Sequence, residues 1–302
     1  MARKPNLFVI GAMKSGTSSL CHSLGQHPAI FMSPVKEPMH FSREENWSRR
    51  TQEYQRLFDG ASDERYLAEG STEYTKRPYR EGVAQRIHEF NPDARLVYVM
   101  RDPFARLVSH YRHQIGKGRE KQSLVAVLDP TSDYLTNSHY AYQLKPYFEL
   151  FGRGAIYLDT FEALSSSPLA FCERLFQWLE IDASFIPPGI GKRLNVSPGA
   201  IETFDEESLR VRFSRYLTRH TRIAELVPAS ARRWYKALLP KESVRQADSV
   251  EFGREVDEAR RAVGPMLAEW VTELEGMTGR SYLEWPSRAG EWSPASYRPC
   301  GS

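Results

Sequence analysis

Two short stretches of the chain hold residues of the types that bind anions. The first, GAMKSGTSSL from Gly11 to Leu20, follows directly on the apolar run Leu7 to Ile10. Successive backbone amides in such a small-residue loop, at the positive end of a helix, form an anion cradle, and Lys14 adds a formal charge. Residue order separates this loop from a Walker A loop, GxxxxGK[ST], in which the lysine follows the last glycine. Here Lys14 precedes Gly16, which disfavours an ordinary P-loop NTPase. A small-residue turn with a surface lysine is the plain alternative. The second stretch begins at Arg101, which ends the apolar run Leu96 to Met100, with Ser109 about two turns into the helix predicted after it. A guanidinium at the carboxyl edge of a parallel strand faces the crevice where open α/β sheets take their ligands, and its paired N–H donors suit a phosphate. Ser109 can add a hydroxyl donor. The plain alternative is an Arg101–Asp102 surface pair with Ser109 on a solvated helix face.

The elements that must position these residues follow from hydrophobic spacing. Leu7 to Ile10 is continuously apolar, as in a strand buried on both faces, and Leu20, Cys21 and Leu24 then recur at helical spacing. The grammar repeats at Leu96 to Met100, where Asp102 reads as an N-cap and Pro103 as a first-turn proline before the stripe Phe104, Leu107, Val108 and Tyr111. A third strand, Ala155 to Leu158, leads through Ser165 to Pro168 into a helix with Leu169, Cys172, Leu175, Phe176 and Leu179. Strands alternating with helices predict an α/β fold with a central, mainly parallel sheet flanked by helices. Ile186 to Asp205 reads as a long loop. The helical stripe Val256, Ala259, Val263, Leu267, Trp270, Val271 and Leu274 meets Gly264-Pro265, which should kink or divide it. We expect one domain over 1–286 and a poorly packed tail over 287–302.

Composition narrows the classes. The chain has 302 residues, 41% of them hydrophobic and 26% charged, which excludes wholesale disorder, collagen and a disulfide-rich miniprotein. Forty-one Lys plus Arg against 38 Asp plus Glu leave a net charge of +3, too small and dispersed to predict nucleic-acid binding. Cys21, Cys172 and Cys300 are an odd count without metal-ligand spacing, which suits a reducing compartment. The apolar run LFVI is far shorter than a signal-peptide core or a membrane span, so the expectation is a cytoplasmic protein without a membrane partner.

Four segments in order carry a resemblance: GAMKSGTSSL, PVKEPMHFS, RLVYVMRDPFARLVSHYRH and YLDTFEALSSSPLAFCERLFQWLEID. Together they resemble the sulfotransferases that use 3′-phosphoadenosine 5′-phosphosulfate (PAPS) and release adenosine 3′,5′-bisphosphate (PAP), over Asn6 to about Asn195. The resemblance implies a P-loop-like three-layer fold. It assigns Lys14, Ser15, Gly16, Thr17 and Ser18 to the 5′-phosphosulfate, and Arg101 and Ser109 to the 3′-phosphate. KEPMHF, Lys36 to Phe41, is similar to the KExHFF segment of the heparan-sulfate and related carbohydrate enzymes, which makes Glu37 the base and puts Lys36 near the transferred group. Attack by a hydroxyl needs a carboxylate or imidazole within reach, and a nearby lysine can stabilise developing charge. The extra residue in Pro38-Met39 shifts His40 and leaves it open as helper, base or packing residue. EGSTEYT, Glu69 to Thr75, replaces the lysine of the related EKxPxY segment with Gly70, so a heparan acceptor does not follow. GKRLNVS falls where the family closes a segment over the nucleotide, which makes Lys192 and Arg193 candidate clamps.

The reaction implied is in-line transfer of a sulfuryl group to a hydroxyl or amine of a small-molecule or carbohydrate acceptor. The donor is held by the protein's own cations, so no metal is expected. One rival is a P-loop-type kinase, favoured by Asp159 at the end of an apolar strand, as a magnesium-binding aspartate would be. The other is a non-catalytic binding module, against which Lys14, Glu37, Arg101 and Ser109 together weigh. Neither the acceptor nor the oligomeric state is legible in the sequence.

Overall fold

Leu7–Gly11 (β1) has no polar residue to turn outward, and in the computed structural model it lies at the centre of a sheet with every residue buried. The structure describes residues 3–43, 47–190 and 250–289. Within them the chain continues through Thr17–Leu24 (α1), Ile30–Met32 (β2), Thr51–Gln55 (α2), Tyr66–Gly70 (β3), Val83–Phe90 (α3), Arg95–Met100 (β4) and Pro103–Gly116 (α4). Asp133–Thr136 (α5), Tyr140–Phe151 (α6), Ile156–Thr160 (β5), Phe161–Ser166 (α7), Pro168–Trp178 (α8) and Val250–Thr278 (α9) follow. The strand order is β2-β3-β1-β4-β5 and each pairing is parallel. The predicted α/β architecture is therefore observed, with two further strands, β2 and β3, that hydrophobic runs did not announce.

Because side chains alternate across a strand, β1 feeds two cores. Phe8 and Ile10 pack on one face with Leu96, Tyr98, Met100, Leu144 and Val271. Leu7 and Val9 pack on the other with Val97, Val99, Leu20, Phe171 and Phe176. The sheet is thus the middle of three layers. Contacts divide the chain into two units, Met1–Leu107 with Leu128–Val196 and Arg260–Ser302, and Val108–Val127 with Ser197–Ala259. The sheet lies wholly in the first.

Asp102 caps α4 as expected: its Oδ1 accepts the Ala105 amide at 2.8 Å, with Pro103 as the first helical residue. Gly264-Pro265 does not divide α9, which runs unbroken from Val250 to Thr278 with Pro265 inside it. Pro265 is exposed, and the buried residues Val263, Leu267, Val271 and Leu274 hold the helix on both sides of the missing amide bond. After Pro286, Ser287 is buried and its amide donates to Asp102 Oδ2 at 2.9 Å, while residues 290–302 of the expected tail lie outside the described residues.

Candidate active site

The strand order makes a switch point. From β1 the chain goes to β2 at one edge and from β4 to β5 at the other, so the connections that leave the carboxyl ends of the adjacent strands β1 and β4 run to opposite sides. Open α/β sheets take ligands in the crevice formed there. The loop after β1 and the residue after β4, the two anion-suited stretches of the sequence, both lie at it.

In the loop, Lys14 and Gly16 adopt left-handed backbone, with φ of 73° and 81°. Gly16 is required twice over. Its φ suits glycine, and a Cβ there would come within 2.9 Å of the Phe161 ring. Gly16 also caps α1 without a side-chain acceptor, so the first-turn amides at Thr17 and Ser18 head the helix with its positive dipole end. Ser15 is fully buried, and its Oγ has no hydrogen-bond partner. Left-handed turns, helix-head amides and an unsatisfied buried hydroxyl make a loop that fits a phosphate or sulfate group.

Arg101 is half-buried, with its guanidinium 4.8 Å from the Phe161 ring centroid. Its backbone is pinned by Tyr140, whose hydroxyl donates to the Arg101 carbonyl at 2.7 Å and accepts the Arg101 amide at 3.3 Å. Asp102 is committed to the helix cap and Ser287, so the surface pair offered as the alternative does not form. Phe161 is thus a spacer, touching Gly16 on one side and Arg101 on the other. Ser109 lies on α4 and is half-buried. Lys192 and Arg193 lie outside the described residues.

The KEPMHF segment is a turn with two non-glycine residues in left-handed backbone, Glu37 at φ 49° and Met39 at φ 54°. Such conformations cost on the order of 1–3 kcal/mol each and persist only where surroundings over-determine them. Glu37 is half-buried and accepts a long bond from Thr72 Oγ1 at 3.4 Å, while Lys36 is exposed. The Cys21 thiol is pushed up to about 12 by burial and by the charges of Glu69 and Glu37, with Lys36 acting against them. Cys21 is four residues after Thr17 and so shares its face of α1.

His40 is turned away from this chemistry. It is buried and stacked on Tyr54 at 4.2 Å with an interplanar angle of 2°, edge-on to Phe41. Burial, with Arg50 and Arg43 nearby, lowers its pKa to about 4. Its Nε2 is buried without a hydrogen-bond partner.

Sequence reasoning passed over Glu69. It is fully buried on β3, where Tyr54 and Tyr74 hydroxyls donate to Oε1 and the Ser71 hydroxyl to Oε2 at 2.8 Å. Burial raises its pKa to about 7, opposed by bonds from Tyr74, Ser71 and Tyr54 and reinforced by Glu37. Next to it, a Cβ on Gly70 would lie 2.5 Å from Cys21 Sγ, so the lysine of related sequences has no room while Cys21 is present. Asp159, the aspartate that favoured a kinase, is bonded by Arg174 at 2.8 Å and Arg280 at 3.1 Å. Burial would raise its pKa, but these bonds and the Thr160 amide hold it below the usual carboxylate range. It is engaged in a structural pair of arginines.

Glu69 and His40 give opposite pH dependences. A carboxyl raised from 4.5 to about 7 contributes stability that is complete below about pH 4.5 and lost as the pH rises through about 7, roughly 3 kcal/mol in all. His40, lowered from 6.5 to about 4, contributes stability that is present above about pH 6.5 and lost as the pH falls through 4. The two slopes offset each other between about pH 4.5 and 6.5 in the wild type. In Glu69→Gln, urea unfolding should show stability rising with pH over that window, without the wild-type decline near neutrality. Superimposable pH profiles for the two proteins would contradict the assignment.

A parallel sheet with an amide loop and an arginine on the two strands of its switch point defines an α/β protein suited to a phosphorylated or sulfated ligand. The chain belongs to the sulfotransferase-domain family, whose sequence pattern matches residues 4–195. Mouse (Mus musculus) heparan sulfate glucosamine 3-O-sulfotransferase 5 is 28% identical over 119 residues, 39% of this chain and 33% of that protein. Mouse bifunctional heparan sulfate N-deacetylase/N-sulfotransferase 3 is 32% identical over 118 residues, 37% of this chain and 13% of that protein. The chain thus spans about a third of the first relative's length and less of the second. The crystal structure of a sulfotransferase from Alicyclobacillus acidocaldarius aligns with a TM-score of 0.56 at 29% identity, covering 76% of this chain and 100% of that one.

Proposed function

We propose that this protein is an enzyme that transfers a sulfuryl group from PAPS to a hydroxyl or amine of a small-molecule or carbohydrate acceptor. The observation that carries the reading is the placement of the anion-suited loop and Arg101 at the ends of the adjacent strands β1 and β4 of one switch point. Family membership supports it. In this reading the loop amides, Ser15, Thr17 and Ser18 bind the 5′-phosphosulfate, and Lys14 stabilises charge that builds on the departing bridging oxygen. Arg101 and Ser109 bind the 3′-phosphate. Glu37 takes the acceptor proton and Lys36 is near the transferred group. The two mouse relatives are named for O- and N-sulfation, which is why hydroxyl and amine acceptors both stay in the proposal. The kinase reading is not favoured, since Asp159 is held by two arginines.

Ligand-dependent stability tests the reading directly. A ligand of the native state at 100 times its Kd stabilises by about 2.7 kcal/mol. Adenosine 3′,5′-bisphosphate should therefore raise the melting temperature by several degrees, and magnesium ATP should not. The opposite pattern would restore the kinase. Incubation with labelled donor and a metabolite extract, read by mass spectrometry for added sulfuryl groups, then identifies the acceptor.

A further inference from the structure

The turn that carries Glu37 is tied to one buried carboxyl by three separate arms. Ser71 Oγ donates to Glu69 and accepts the Met39 amide at 3.0 Å. Tyr54 donates to Glu69 at 3.2 Å and stacks face to face on His40. Tyr74 donates to Glu69 and packs against Phe41 with ring centroids 5.8 Å apart. Three consecutive residues, Met39 in the turn and His40 and Phe41 after it, are thus each held by a different donor to Glu69. The turn needs such support, because Glu37 and Met39 both occupy left-handed backbone without being glycine.

We propose that Glu69 is a positioning residue for the acceptor side of the site, fixing through Ser71, Tyr54 and Tyr74 the turn that presents Glu37. The inference rests on the reading of Glu37 as the base. Glu69 touches no reacting atom in it, being fully buried beneath the turn. Its titratable surroundings are Cys21 on α1, Tyr54 on α2, Tyr74 after β3, Tyr147 on α6 and Glu37 itself. Three hydroxyl donors hold the carboxyl. A glutamine can replace it: Oε1 accepts both tyrosines and Nε2 donates to Ser71 Oγ, which keeps a lone pair for the Met39 amide.

Hydrogen exchange and kinetics on the full chain test this. In Ser71→Ala and Glu69→Ala, exchange of the peptide spanning residues 33–42 should quicken by about tenfold or more. Bisphosphate release at saturating PAPS, with a fixed pool of phenols, alcohols and saccharides as acceptors, should fall by a similar factor. The calorimetric Kd for adenosine 3′,5′-bisphosphate should stay within about twofold of wild type, a split that general unfolding would not produce. Glu69→Gln should restore both exchange and rate to within about threefold. Folded Ser71→Ala with wild-type exchange and wild-type rate would overturn the proposal, and that variant decides the matter if Glu69→Ala does not fold. Absence of transfer by the wild type, or full activity in Glu37→Gln, would instead sink the reading beneath it, while the exchange measurement still decides whether Glu69 holds the turn.

Discussion

Glu37→Gln is expected to lower turnover by about 10²- to 10⁴-fold, the range typical of removing a general base. Glutamine keeps the size of the side chain and can still accept the Thr72 bond, but it cannot take a proton from the acceptor. Because Glu37 lies on the turn after β2 and not in the anion loop, affinity for the bisphosphate should survive. The decisive control is His40→Ala. His40 sits in an aromatic stack with its pKa lowered to about 4, so it is neutral at pH 7, and it packs the core side of the turn. Its loss should reduce stability more than the chemical step, and any fall in rate should track misplacement of the turn. Wild-type turnover in Glu37→Gln together with collapse in folded His40→Ala would move the base to the imidazole. Steady-state rates at saturating donor, with donor binding checked in both variants, give the answer.

Arg101→Ala should weaken binding of adenosine 3′,5′-bisphosphate by roughly 2–5 kcal/mol, as truncating one partner of a buried charge-assisted pair does. Affinity for an analogue lacking the 3′-phosphate should change little, and equal losses for the two ligands in calorimetry would show that Arg101 does not read that position. The structure adds a condition absent from the sequence. The guanidinium lies over Phe161, the same ring that limits Gly16. A planar, delocalised cation suits that face, and a lysine ammonium offers neither the stacking nor the paired donors. Arg101→Lys should therefore recover only part of the affinity, although the charge is kept.

The local chemistry of the donor side was legible because it is contiguous. Strand, loop and helix follow one another in Leu7 to Leu24, and the Asp102-Pro103 cap after β4 is written in two adjacent residues. Continuous apolar runs likewise predicted β1, β4 and the start of β5, since a strand buried on both faces has no reason to alternate. The same criterion missed β3, whose sequence YLAEG carries a glutamate. It also missed β2, which has only three residues. Gly264-Pro265 lies inside α9 without dividing it, and local propensity does not register the buried side chains that pack on both sides of the pair.

The sequence by itself determined the α/β alternation, the anion-suited loop and the presence of a carboxylate and a lysine in KEPMHF. Those are properties of neighbours along the chain, set by backbone conformation and hydrophobic period. Tertiary structure alone decided which of these groups meet. It brought Thr72 to Glu37, put Phe161 between Gly16 and Arg101, set His40 against Tyr54, engaged Asp159 with Arg174 and Arg280, and gathered Tyr54, Ser71 and Tyr74 on Glu69. The physical reason is burial. A carboxyl removed from water must find donors wherever the fold can supply them, and those donors are chosen by the packing of the sheet against its helices rather than by any spacing along the chain.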